Sequence, residues 1–467
     1  MRERVLFLTG RLACPRLEKV LAQVADADLQ TAVEDVGVKV AALMTAGLIK
    51  RRLAPPVEAD RVVVPGLFRG DIDALTVHYN VPFQRGPDDL KDVPDFLGHP
   101  GGPPDLSRYD VRIFAEIVEA PTLSVDAIVA RAADYRDDGA DVIDLGCLPD
   151  TPFPHLEDAV GALASAGHAV SVDSADPDEL RRGARAGANY LLSLTEDSLA
   201  LAEEGDATPI LIPARPGEVA SLLRAMDRMD AMGRPYIADP ILDPIHFGFA
   251  RSVERYAELR RRRPDAEILM GTGNLTELTD ADSTGVTAAL MGLVSELHIT
   301  NVLVVQVSAH CRRAVREHDA ARRMMYRARE DGGLPSGVDA ALLCLRAKKP
   351  FVNAPDEIAE MAAAISDPNF RIEVAEDGVH VYNRDGHHVA DDPYSLFSRL
   401  AVEGDAGHAF YLGYELARAE VAWRLGKRYV QDRPLDWGAA VDRAADDLAA
   451  FQAAGVTKRR PGGGEKP

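Results

Sequence analysis

The chain has 467 residues, 46% of them apolar, which is enough material for substantial cores. Its formal charge is -21, from 74 acids against 53 Lys and Arg, and that argues against a nucleic-acid or anionic-membrane binder, since both need basic surface. No apolar stretch approaches the roughly 20 residues of a membrane span. The four cysteines, Cys14, Cys147, Cys311 and Cys344, are scattered and form no C-x-x-C pair, which speaks against a disulfide framework or a Cys-based zinc site. The N-terminal run VLFL is too short for a secretory signal, so a cytoplasmic location is expected.

At about 100–200 residues per domain, two to four domains are expected. The first, 1–108, reads as a small α/β domain: a strand at Arg4–Gly10, a helix around Leu17–Ala25 and a further strand within Ala59–Gly66. The Gly- and Pro-rich segment Phe96–Asp110 reads as a linker. The second, 109–333, has a regular beat. Apolar runs start near Val111, Asp141, Ala169, Asn189, Pro209, Pro235, Glu267 and Asn301, with amphipathic helical stretches between them. Strands alternating with helices imply parallel βαβ units, and eight of them match a closed (β/α)₈ TIM barrel better than an open doubly wound sheet. The third, 334–458, reads as an α+β accessory domain: a hairpin with a D-G turn signal around 370–392, then a helix in which Phe410, Leu412, Leu416 and Val421 give rough helical spacing. Residues 459–467 read as a disordered tail.

In a barrel the active site lies at the carboxyl ends of the strands, where the βα loops surround one mouth. The residues ending the eight runs are unusually polar: Glu116, Glu119, Asp144, Asp150, Asp173, Ser174, Ser193, Thr195, Arg215, Asp239 or Asp243, Thr272, Asn274, Gln306 and Ser308. A basic cluster, His310–Glu317, follows the last strand. Carboxylates accept paired N–H donors well, so several converging acids suit a flat ring that presents N–H groups, as a pterin does. Some of these residues have a plainer use; Ser174 or Asp176 can cap the helix after the third strand.

Three of these stretches, GADVIDLG (Gly139–Gly146), SVDS (Ser171–Ser174) and RRGARAGANYLLSLT (Arg181–Thr195), resemble the pterin-binding barrel of dihydropteroate synthases, and the later YIADP, FGF and MGTGN continue the likeness. The dihydropteroate synthase-like subfamily linked with tetrahydromethanopterin biosynthesis is the nearer match, through MGTGNLTELTD, VREHDAARRMMY and the C-terminal His408–Asp432. The resemblance implies that Asp173 lines a pterin pocket and that Asp239 pairs with the ring, with Asp243 as a competing alignment. It also places Asp144, Gly271 and Thr272 at family positions. Where that family has asparagine in its fourth strand this chain has Leu192, with Ser193 as a partial replacement. The usual lysine and arginine after the seventh strand become Leu275 and Asn274, and the final R-x-H pair aligns with Leu303 and Val305. Arg312, Arg313 and Arg316 would then have to serve a diphosphate from a shifted position, or Glu119 and Asp150 would hold one through Mg²⁺. GTGN also resembles the G-x-S-N motif of corrinoid-linked methyltetrahydrofolate methyltransferases, which would put Asn274 near a reacting ring nitrogen.

The resulting expectation is a transferase of tetrahydromethanopterin biosynthesis, joining a dihydropterin methyl diphosphate to a ribofuranosylaminobenzene phosphate. The alternatives are a one-carbon or methyl transferase using a reduced pterin, and a non-catalytic pterin-binding protein. Asn274 and Asp173 are the expected catalytic residues. Asp144, Asp173, Ser193, Asp239, Gly271, Thr272, Asn274, Gln306 and Arg312 are the expected substrate contacts. The expected ligand is a reduced pterin, with Mg²⁺ as an optional companion and no dedicated protein metal site; a homodimer is left open.

Overall fold

The structure is a computed structural model and describes residues 2–24, 29–38, 41, 44–66, 68, 70–87, 90–97, 104–402 and 404–441. The expected tail at 459–467, the end of the expected accessory domain and residues 98–103 of the Gly/Pro-rich segment lie outside the described residues. The described parts of Met1–Pro104 and Lys349–Leu435 form one compact unit. Asp105–Lys348, with the described residues from Asp436 onward, forms a second.

In the first unit, β1 (Glu3–Thr9), β2 (Leu29–Asp35), β3 (Arg61–Val64) and β4 (Phe83–Arg85) make a parallel sheet in the order β2-β1-β3-β4. Side chains alternate with period two along a strand. Leu8, Val62 and Val64 accordingly pack on one face with Ile49, Leu75 and Tyr79, while Val5, Phe7 and Val63 pack on the other with Leu17 and Leu21.

The second unit contains eight strands: β5 (Arg112–Ile117), β6 (Val142–Gly146), β7 (Ala169–Asp173), β8 (Tyr190–Leu194), β9 (Thr208–Leu211), β10 (Ile237–Ala238), β11 (Leu269–Gly271) and β12 (Asn301–Val304). Each falls in one of the eight apolar runs. All pair in parallel and in chain order around the sheet. A single bridge, Ala238 to Ile268, joins β10 to the segment entering β11. The result is a parallel sheet nearly closed into a barrel and flanked by helices, a TIM-barrel-like fold. Inside, Phe114, Val142, Leu192, Ile210, Ile237 and Leu269 form an apolar layer. Outside, the strands' other faces pack against the helices, with Ile128, Leu156, Leu222 and Tyr256 among the buried residues. Local signals set the helix starts: the Ser124 hydroxyl accepts from the Ala127 N–H, and the Asp176 carboxylate from the Asp178 N–H.

Back in the first unit, β13 (Arg371–Ala375), β14 (Gly378–Asn383) and β15 (Gly386–Ala390) form an antiparallel meander, and each of its two turns carries Asp-Gly. The first needs its glycine: Gly378 has φ +139°, and a Cβ there would lie 2.6 Å from the Ala390 carbonyl oxygen. The helix Ala406–Leu425 forms as expected, but its inward face differs. Leu412 and Leu416 are buried, whereas Phe410 and Val421 are exposed. Apolar residues occur all round this helix, so no single stripe dictates which side turns in.

Candidate active site at the barrel mouth

Three carboxylates meet at the ends of β5, β6 and β7. Glu116 pairs in register with Asp144, and Asp144 with Ser171. Glu116 follows Phe114, and Asp144 follows Val142, by two residues, so both acids share the inward face of that apolar layer. Asp173 stands two residues beyond Ser171 on the same face. One oxygen from each of Glu116, Asp144 and Asp173 lies within 4.8 Å of the others. Gly146 makes room for this: a Cβ there would lie 2.6 Å from Glu116 Oε1.

Asp144 is fully buried, and neither of its carboxylate oxygens has a hydrogen-bond partner. The Ser171 hydroxyl beside it is also buried, and as a nearby donor it partly favours the charged form of Asp144. Burial first, then repulsion from Asp173, holds the Asp144 carboxyl well above the usual carboxylate range. Burial and the charge of Asp144 push Glu116 up to about 8. Burial, then Glu116 and Asp239, push Asp173 up to about 7. The trio therefore retains protons near neutrality, because three charges cannot ionise together above an apolar floor. It is the one group among the described residues whose acidic and imidazole ligand atoms lie close enough to share a cation. An all-oxygen set of this kind suits Mg²⁺ or Ca²⁺ rather than a thiolate-preferring metal.

Asp239 follows β10 and is buried, and burial pushes it up to about 6. Its Oδ1 accepts from the Tyr256 hydroxyl and the Ile241 N–H, both at 2.7 Å. Asp243, the competing alignment, is tied instead to Arg255 at 2.6 Å and to the Ser252 hydroxyl. Asp239 is thus the acid that acts electrostatically on Asp173. Helix Phe249–Arg262 supplies both anchors, Arg255 and Tyr256; their only sequence signal is a polar pair on a helix face that otherwise turns inward.

The remaining expected contacts take varied positions. Ser193 is half-buried where the β8–β9 register shifts. Gly271 ends β11 with open space where a Cβ would stand. The Thr272 hydroxyl is buried and donates to the Leu303 carbonyl at 3.1 Å. Asn274 is exposed in a short helical turn, and its Nδ2 donates to the Leu242 carbonyl at 2.7 Å, linking the loops after β10 and β11. Gln306 accepts from the Val315 N–H at 3.2 Å.

Two clefts flank the trio's strands. One, of about 600 Å³, is lined by Glu116, Glu119, Tyr135, Gln306, Arg313 and Arg316, among others. The other, also about 600 Å³, runs along the loops after β6 and β7 and includes Cys147, Asp150, Ser174 and Arg182. Glu119 and Asp150, the expected Mg²⁺ ligands, thus line different clefts. Of the basic cluster, Arg313 and Arg316 line the first cleft and pair with Asp138, while Arg312 is exposed and donates to the Ala309 carbonyl. The chain enters helix Ala314–Glu330 through a short 3₁₀ turn, which sets the phase that separates Arg312 from its neighbours. Ser174 caps locally, accepting from the Asp176 N–H and donating to Glu179.

Residues 3–88 match a family of unknown function (DUF6513). An uncharacterized protein of Methanocaldococcus jannaschii is 26% identical over 367 residues, which are 70% of this chain and 69% of that protein. Among solved structures, similarity extends to dihydropteroate synthase of Yersinia pestis with a pterine–sulfa conjugate, at 18% identity and a TM-score of 0.38, over 49% of this chain and 95% of that one. The dihydropteroate synthase of Xanthomonas albilineans in complex with 7,8-dihydropteroate gives 20% and 0.36, over 48% and 94%. No described helix is long and apolar enough to cross a membrane.

Proposed function

We propose that the barrel mouth binds a reduced pterin and that the protein is a dihydropteroate synthase-like transferase. One observation carries the reading. Asp144 has two carboxylate oxygens without a partner, fully buried between Glu116 and Asp173 above an apolar layer. Such a group is costly unless something answers it. A flat edge with adjacent N–H donors answers it, and a pterin has one. The motifs around Asp144, Asp173 and Asp239 are those that resemble the pterin-binding barrel. The exposed apolar side chains of Phe247, Leu278 and Val307, in the loops after β10, β11 and β12, offer cover for the ring.

In the synthase reaction an arylamine nitrogen bonds to the pterin's exocyclic methylene. The bond from that carbon to the diphosphate oxygen breaks, diphosphate leaves, and the amine gives up a proton. Asp144, Asp173 and Asp239 would orient the ring, and alignment of the reacting groups would supply much of the acceleration. A second reading, a one-carbon transferase on a finished reduced pterin, is favoured by a specific observation: Arg313 and Arg316 are engaged with Asp138, so the mouth is stronger in groups for a ring than in cations for a diphosphate.

Calorimetry on the full chain separates these readings. Bare reduced pterin, its hydroxymethyl diphosphate and Mg²⁺ alone are titrated separately, and the diphosphate again with Mg²⁺. Pterin binding that Asp144→Asn weakens at least about tenfold, the scale of a lost charge-assisted pair, is expected. Added affinity from the diphosphate supports the synthase, and none moves the choice to the one-carbon transferase. Binding of Mg²⁺ but of no pterin would sink both.

A further inference from the structure

The first unit holds a cavity that the barrel reading does not use. β1 lies between β2 and β3. Helix Cys14–Gln23 follows β1 and packs on one face of the sheet, whereas helices Ala46–Arg52 and Ile72–Tyr79 pack on the other. The chain therefore leaves β1 and β3 in opposite directions. An open parallel sheet has its ligand crevice outside the carboxyl ends of two such strands. A cavity of about 250 Å³ lies there, lined by Thr9 of β1, Val64 of β3, Arg16 and Leu17 of the first helix, and Met361. That is below the ~300–1,000 Å³ typical of drug-sized ligands, so its occupant is small.

Among the described residues, two polar side chains on its wall have no partner. Thr9 is only 2% exposed, and its hydroxyl makes no hydrogen bond among the described residues. A hydroxyl that lines a cavity and has no partner within the protein is free to bond a ligand there. Arg16, at the cavity's edge, makes no ion pair among the described residues. The other polar groups of the wall are occupied: Glu357 accepts from the Ala354 N–H at 2.8 Å, and Asn353 donates to Glu373 at 2.7 Å.

The backbone narrows the ligand class. The Ala13 and Cys14 N–H groups both donate to the Gly10 carbonyl, at 3.1 and 3.0 Å, and Arg11 N–H donates to Val38 at 2.7 Å. Gly86 N–H donates to the Val64 carbonyl at 2.8 Å, and Pro15 has no N–H to give. A nucleotide's phosphates would need those amides. The side-chain donors of the wall without a partner among the described residues are one guanidinium and one hydroxyl, set against a largely apolar wall.

We infer that this crevice binds a small organic carboxylate. Its carboxylate pairs with Arg16 and accepts from Thr9, and its apolar body lies against Leu17, Val64 and Met361. The test is ligand-observed NMR and calorimetry on the full chain, with hexanoate and benzoate as probes, hexanamide as the uncharged match and AMP as the phosphate control. Both carboxylates are expected to bind, with hexanamide weaker by about tenfold or more, the scale of a charged hydrogen bond. Arg16→Gln is expected to erase that difference, and Thr9→Val to weaken both carboxylates about threefold or more without lowering the melting temperature. Three results would overturn the proposal: no saturable carboxylate binding at ~10 mM, affinities indifferent to both substitutions, or AMP binding more tightly than either carboxylate.

Discussion

The two ends of the barrel handle charge in opposite ways. At the base, Arg112 donates to Asn301 at 2.8 Å, to the Tyr190 hydroxyl at 3.3 Å and to Glu267. Arg322, whose side chain is 1% exposed, donates to the carbonyls of Val111 at 2.6 Å and Gly139 at 2.8 Å, and pairs with Asp141 and Asp319. Every buried charge named there has an answer. At the mouth, Glu116, Asp144 and Asp173 face one another with no cation among them. The base uses polar groups to hold strands and helix together, whereas the mouth keeps its three acids side by side by holding protons on them. Unanswered polarity is therefore a better pointer to the working end than polarity itself.

The contrast breaks most visibly at Arg322. Arg322→Met takes a charged donor from Asp141, Asp319 and two carbonyls, leaving Asp141 with the Ile113 N–H and Asp319 with Arg323, and a loss of about 3 kcal/mol is expected, read as a fall in the chemical-denaturation midpoint. The mouth should respond in the other direction. Asp144→Asn removes a buried acid whose ionisation is disfavoured, so the ligand-free protein is expected to gain stability at pH 8, read as a raised denaturation midpoint, while pterin affinity drops. Loss of stability in Asp144→Asn would mean that the carboxylate has an internal role.

The same asymmetry predicts a pH dependence. Glu116, Asp173 and Asp239 keep protons up to about 8, 7 and 6, whereas the unfolded chain releases them near the ordinary carboxylate values. Over that interval the native state holds more protons, so stability falls as pH rises. The contribution is fully present below about pH 4 and is lost progressively as pH climbs through 6, 7 and 8. Melting temperatures between pH 5 and 8.5 should decline and should flatten in Glu116→Gln. A ligand presenting N–H donors prefers ionised acids, so its affinity should rise over the same range. Asn274→Ala is the smallest change: about 1 kcal/mol or less is expected from the lost bond to Leu242, measured by the same melts.

Much of the architecture was readable from residues alone, because strands buried on both faces leave dense apolar runs at a steady interval. Asp144, Asp173 and Asp239 could be named because a barrel gathers its strand ends. The pairing between them could not. That Glu116 sits beside Asp144 depends on strand register, and its fit depends on the missing Cβ of Gly146. Nor could the partners of Asp239 and Asp243 be read, since Tyr256 and Arg255 come from a helix 12–17 residues further on. Within the basic cluster the sequence did not separate the three arginines: a 3₁₀ turn shifts the angular phase, so Arg313 and Arg316 line the cleft while Arg312 does not.

The lone Ala238–Ile268 bridge makes the barrel's hoop thinnest between β10 and β11, a strand of two residues beside one of three. Breathing at that seam would part the loops that carry Asp239 and Asn274, and the Asn274–Leu242 contact is the clasp across them. A heterocycle gripping both sides would act as a second clasp. Occupancy of the mouth should then slow amide exchange along this one gap before it alters any other part of the ring of strands.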